Sequence, residues 1–207
     1  LSENFAMRVA AIGESFGGLY ENDVTGDNVG GVDTGAIRLS ARARFAENWT
    51  DILRIGYSKR QGNEYFTPYA LMPDSFPTDA GRALYLSRLA AIGSDAVDLD
   101  PFDTHINQFV DDELDEKDNT VISNQLSYEL SGGGEIRLIS GYNDWAIGQR
   151  GHHVFGAETP TLIQFQYTSS ESTSHELQFI SPENFLVDRL TAVAGLYYYN
   201  EDLVIEE

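Results

Sequence analysis

The sequence predicts an all-β fold, an antiparallel up-and-down meander of about seven long strands with one short helix in a long loop. Three observations predict it. Apolar and polar residues alternate with a period of two over long stretches, which places one set on each face of a strand. The connections alternate between short and long. The six prolines, at 68, 73, 77, 101, 160 and 182, all fall outside the strand cores, as a hydrogen-bonded ladder requires.

Taken in order, the first strand spans about 6–15 and a polar, Gly- and Asp-rich connection fills 16–33. In Ile37–Phe45, Ile37, Leu39, Ala41, Ala43 and Phe45 share a face, while Arg38, Ser40, Arg42 and Arg44 share the other. A short connection, AENWTD at 46–51, leads to a third strand with Leu53, Ile55 and Tyr57 against Arg54, Gly56 and Ser58. The stretch 34–61 therefore predicts a hairpin around Trp49. One long excursion, 62–117, carries no strand of spanning length. Within it, TDAGRALYLSRLAAIG (78–93) predicts a helix over 79–92 with a stop at Gly93. The following 94–118 holds ten acids and one lysine.

In Val121–Leu130, Ile122, Leu126, Tyr128 and Leu130 alternate with Ser123, Gln125, Ser127 and Glu129. SGGG (131–134) is a turn, and 135–149 is a fifth strand. A long connection over 150–172 precedes a sixth strand, in which Leu177 and Phe179 oppose Glu176 and Gln178. SPENFLVD (181–188) is short, and 188–203 forms a seventh strand whose facing is ambiguous, because LYYY offers aromatics to both sides.

Composition excludes several classes. With 33 acids against 13 bases, the net charge of −20 argues against a nucleic-acid partner, which needs clustered Lys and Arg. It also argues against a basic helix lying on a membrane. The lack of cysteine removes disulfides, thiolate nucleophiles and Cys-ligated metal centres. No apolar run is long enough for a transmembrane helix, but spanning β-strands never build such a run. Short turns on one rim, long loops on the other, and strands of about 10–14 residues, where globular strands average ~5–6, favour a membrane barrel over a soluble sheet. An odd number of strands then fits a segment of a larger wall, since single-chain bacterial barrels close with an even number. The chain begins at Leu1 without a signal sequence and ends at LVIEE without a closing signal, so it is expected to be an internal piece of a longer protein. The other reading is a trimmed but complete small domain.

Several short runs resemble one family. MRVAAIGESFGGLYENDVTG, followed by VDTGAIRLSARARFAENWTDILRIGYS, is similar to the early barrel region of TonB-dependent outer-membrane receptors. The Arg-rich returning strand, the turn at Asn48-Trp49 and the strand ending in Tyr57 match that pattern, with the aromatic of the first turn one place late at Tyr20. QLSYELSGGGEIRLISGYND, SHELQFISPE and AVAGLYYYNED resemble later strands of the family in its order, with Gln178 where Arg is common. The resemblance implies that 1–207 is an incomplete wall of a roughly 22-stranded transmembrane β-barrel, without its plug or C-terminal strands. It implies a receptor in the outer membrane of a Gram-negative bacterium. Such a receptor binds a scarce nutrient such as a ferric siderophore and imports it with energy delivered by TonB through the plug. Loop capture and plug rearrangement would do this without enzyme activity. Partners would be outer-membrane lipid, TonB and the small-molecule ligand. A passive pore and a soluble carbohydrate-binding β-sandwich are the alternatives.

Within that reading Arg38, Arg42, Arg44, Arg54, Glu176 and Gln178 face the lumen, with plug docking as the first role of the arginines and substrate contact the second. The loop aromatics Tyr65, Phe66, Tyr69, Phe76 and Tyr85 are candidate ligand contacts or a small loop core. Asp95, Asp98, Asp100 and Asp103 could bind calcium, although the spacing has no EF-hand glycine; a solvated acidic loop is the plainer reading. No other cofactor is expected. Gly13-Glu14-Ser15-Phe16-Gly17 matches a nucleophile elbow, but the Gly-rich run after it cannot open the helix an elbow needs. His152, His153 and His175 with Glu158 or Glu176 could ligate a metal; solvated loop histidines are the alternative. Asn48-Trp49-Thr50 fits a glycosylation pattern, and Trp49 fits an interfacial anchor better.

Overall fold

A computed structural model describes residues 3–22, 26–63, 78–80, 83, 87, 105–106, 114–152, 163–183 and 190–206. Seven long strands form one antiparallel sheet: β1 (Phe5–Phe16), β4 (Val32–Ala46), β5 (Trp49–Gly62), β7 (Leu114–Glu129), β8 (Glu135–His152), β9 (Ile163–Ile180) and β10 (Val193–Glu206). Each pairs with the next in the order β1-β4-β5-β7-β8-β9-β10. Three short strands, β2 (Tyr20–Asn22), β3 (Asn28–Val29) and β6 (His105–Ile106), make a second small sheet at the long-loop end. The sheet is open, since β1 and β10 lie at its two edges.

The turns explain the meander. The β4–β5 hairpin closes over Glu47-Asn48, with a bulge at Phe45 where the register shifts between Arg44 and Ala46. Trp49 is thus the first residue of β5 and not part of the turn. Between β7 and β8, Gly133 adopts φ +85° and its N–H donates to the Leu130 carbonyl at 2.9 Å, a backbone that only glycine enters freely. At the opposite rim Asn63 ties three segments together. Its side chain accepts from Gly31 N–H at 2.7 Å and donates to the Asn28 carbonyl at 3.2 Å, while its own N–H donates to the Gly31 carbonyl.

Strand ends differ from the sequence reading at the long-loop rim. β9 begins at Ile163, inside the stretch read as a 150–172 loop, and β8 runs on to His152. TSSESTS (168–174) looks like loop by composition, but pairing on both sides overrides it. β7 begins at Leu114, within the acidic stretch. There Lys59 pairs with Glu116, and Arg60 with Asp115 at 3.1 Å, so ion pairs replace apolar alternation in joining β5 to β7. The last strand starts at Val193, five residues later than position 188. Of the expected helix, only positions 79, 80, 83 and 87 are described, and these are helical; the rest of it lies outside the described residues.

Burial is the unusual feature. Among the described residues Val29 is the one buried hydrophobic side chain, and no second layer packs on either face of the large sheet. Leu196, Tyr197, Val193 and Val9 stay between 58% and 75% exposed. A folded domain normally buries one face of its sheet against another element.

Candidate functional site

Directly opposed residues in an antiparallel pair project to the same face, so the register assigns every strand residue to one of two sides. One face is apolar towards the short-turn rim. Its first row holds Trp49, Tyr128, Ile136 and Phe179, and its second holds Leu126, Leu138, Leu177 and Leu196. Phe45 stacks on Trp49 at 6.0 Å, and Trp49 lies 4.7 Å from Tyr128. Further along, Leu39, Ile55, Ile122 and Tyr142 line up. The stripe then ends in Asp144, Glu171 and Asp202, level with one another on β8, β9 and β10. From Trp49 to Tyr57 it runs ~27 Å along the strand at ~3.3 Å per residue, or about 20 Å of height at a tilt of roughly 40°. Asp51 and Asn124 interrupt the stripe, satisfied by each other at 2.7 Å, and Ser140 and His175 continue the row of Asn124 on β8 and β9.

The other face is polar. The register places Arg38, Arg42, Arg44 and Arg54 on it, together with Glu176 and Gln178, and so joins all the residues expected to look inward. They share a face without touching: Arg42 and Glu176 lie in one row four strand spacings apart, ~19 Å. Ile52, Ile139, Trp145 and Leu203 also lie on this side, which is therefore not purely polar. Its two halves are electrostatically different. On β8 to β10 the charges are satisfied locally. Arg137 donates to Glu135 at 2.8 and 3.1 Å, Gln178 to Glu176 at 2.6 Å, and Ser170 and Tyr199 to Glu201 at 2.6 and 2.9 Å. On β1, β4 and β5 only Arg60, at the long-loop end, has such a partner, in Asp115. Among the described residues Arg38, Arg42, Arg44, Arg54 and also Arg8 form no ion pair, and Glu14 is the sole acid on this face of those three strands. The sequence reading missed Arg8. Its signal was alternation with Val9, but only the β1–β4 register joins it to the others.

The remaining candidates separate. Ser15 lies one residue before the end of β1, opposite Asp33, and the chain continues into β2 and β3 with no helix among the described residues between them, so the helix that a nucleophile elbow opens is not there. His175 sits on the apolar face, its Nδ1 3.0 Å from Ser140 Oγ and its ring stacked on Tyr198 at 6.3 Å, on the opposite side from Glu176. His152 belongs to β8, a strand and not a loop. Tyr65, Phe66, Tyr69, Phe76, Tyr85, Asp95, Asp98, Asp100, Asp103, His153 and Glu158 lie outside the described residues. Among the described residues no group of three metal-ligating side chains comes together.

Comparison with protein-family models, with curated proteins and with solved structures finds no match.

Proposed function

We propose that the chain is a stretch of wall from an outer-membrane transport barrel of the TonB-dependent receptor type, part of a roughly 22-stranded cylinder. The observation that supports this reading is the single-layer sheet with unlike faces. One face is a bounded apolar stripe that begins in Phe45, Trp49 and Tyr128 at the short-turn rim, and the other is rich in arginine, glutamine and serine. Among the described residues nothing covers either face, and an apolar area so exposed would be untenable in water. Lipid is the solvent that suits the first face, and a wet lumen suits the second. In that setting the long loops capture a scarce nutrient such as a ferric siderophore. The arginine face lines the route past a plug that TonB rearranges. The two open edges continue the wall.

The test is the state of the chain expressed alone. It is expected to need detergent, and to insert into bilayers of outer-membrane lipid with a β-rich circular dichroism spectrum. A folded monomer that sediments as one species without detergent would refute the wall and favour a complete soluble domain.

A further inference from the structure

We infer that the polar face carries a built site for a compact anion bearing two or more charges, centred on Ser40. Ser40 stands directly opposite Arg8 on β1 and Arg54 on β5, while Arg38 and Arg42 flank it two residues away along β4. The lateral pair sits about 5 Å from Ser40 at the Cα level and the axial pair about 7 Å, so one serine has an arginine on each of its four sides. Arg44 extends the ring by one step towards the short-turn rim.

Three of the four positions diagonal to Ser40 are small, and the fourth is Ile52, beside Arg42. Ala10 and Gly56 lie beside Arg38, Ala6 lies beside Arg42, and a side chain at Gly56 would meet only backbone oxygens at 4.0 Å. The space above Ser40 is therefore framed by long cationic side chains over a shallow base. Four like charges at this spacing repel one another, and no carboxylate of the described chain relieves them. An anion seated on the Ser40 hydroxyl would accept hydrogen bonds from several guanidinium forks at once. The ring is compact. A phosphate or polycarboxylate can reach all four arginines, whereas an extended acidic polypeptide would be matched better by a longer row. The site needs only the register of β1, β4 and β5, and holds whether or not the opposite face meets lipid.

Titration of the 207-residue chain, folded in detergent, with citrate and with inorganic pyrophosphate tests it. Both should bind, with acetate far weaker. Arg54→Gln and Arg8→Gln should each weaken binding roughly tenfold, the order of one charge-assisted hydrogen bond. Arg137→Gln, which removes an arginine already paired with Glu135, should leave binding unchanged. Ser40→Asp puts a carboxylate at the centre, and should abolish binding while raising the melting temperature. The inference is overturned if Arg137→Gln weakens binding as much as Arg54→Gln, if Ser40→Asp binds as well as the parent, or if an acidic peptide binds through these arginines and the small anions do not.

Discussion

Trp49 rests against Tyr128 across the β5–β7 pair, ring centroids 4.7 Å apart and planes tilted by 40°. The contact exists because the two-residue turn at Glu47-Asn48 starts β5 at Trp49, which sets it directly opposite Tyr128 on the apolar face. With Phe45 it forms an aromatic corner at the short-turn rim, where amphipathic rings suit a lipid–water boundary.

A double-mutant cycle on Trp49→Ala and Tyr128→Ala should give a coupling of ~0.5–1.5 kcal/mol in unfolding from detergent or bilayer, as for other aromatic pairs. A coupling near zero would mean that the rings do not act together.

Gly133→Ala should destabilise the β7–β8 hairpin by ~1–2 kcal/mol, because φ +85° is disfavoured for any residue with a Cβ. Gly132→Ala, with φ not positive and nothing within 4 Å of the added atom, should be close to neutral. Chemical denaturation of the two variants measures the difference, and equal losses would contradict the turn geometry.

Removing the Asn63 side chain deletes its bonds to Gly31 N–H and the Asn28 carbonyl. Asn63→Ala should lose roughly 1–3 kcal/mol at ~0.5–1.5 per bond, with increased amide exchange at Gly31. Unchanged exchange there would show that the corner is held by the backbone alone.

Asp51 and Asn124 form a hydrogen-bonded polar pair in the apolar stripe, one to two rows from the aromatic rim. Asp51→Leu alone strands Asn124 and should destabilise the protein. Asp51→Leu combined with Asn124→Leu should restore or exceed parent stability in bilayers, since both polar groups then leave the stripe together. A double variant less stable than either single one would place this face in water.

The seven strands were legible wherever alternation was strong. Ile37 to Phe45 and Gln125 to Glu129 announce their facing residue by residue, whereas Val121 falls on the polar face and Asn124 on the apolar one. The ends at the long-loop rim were not legible, because Ser169 to Ser174 and Asp115 to Asp118 are loop-like in composition and become strand only through partners on both sides. Two tyrosines of LYYY, Tyr197 and Tyr199, lie on the polar face, and Tyr198 on the other, a choice that only the β9 register makes. The site was half legible. Alternation placed Arg38, Arg42, Arg44 and Arg54 on one side, but Arg8 and the central position of Ser40 depend on how three strands align.

The central claim is that the two faces of one sheet meet different solvents. Single spin labels placed in turn at Ile37, Arg38, Leu39, Ser40, Ala41 and Arg42 of β4, in outer-membrane lipid, test it most directly. Labels at Ile37, Leu39 and Ala41 should relax with lipid-soluble oxygen, and those at Arg38, Ser40 and Arg42 with a water-soluble nickel chelate, in strict alternation. Equal access of the chelate to all six positions would contradict the wall.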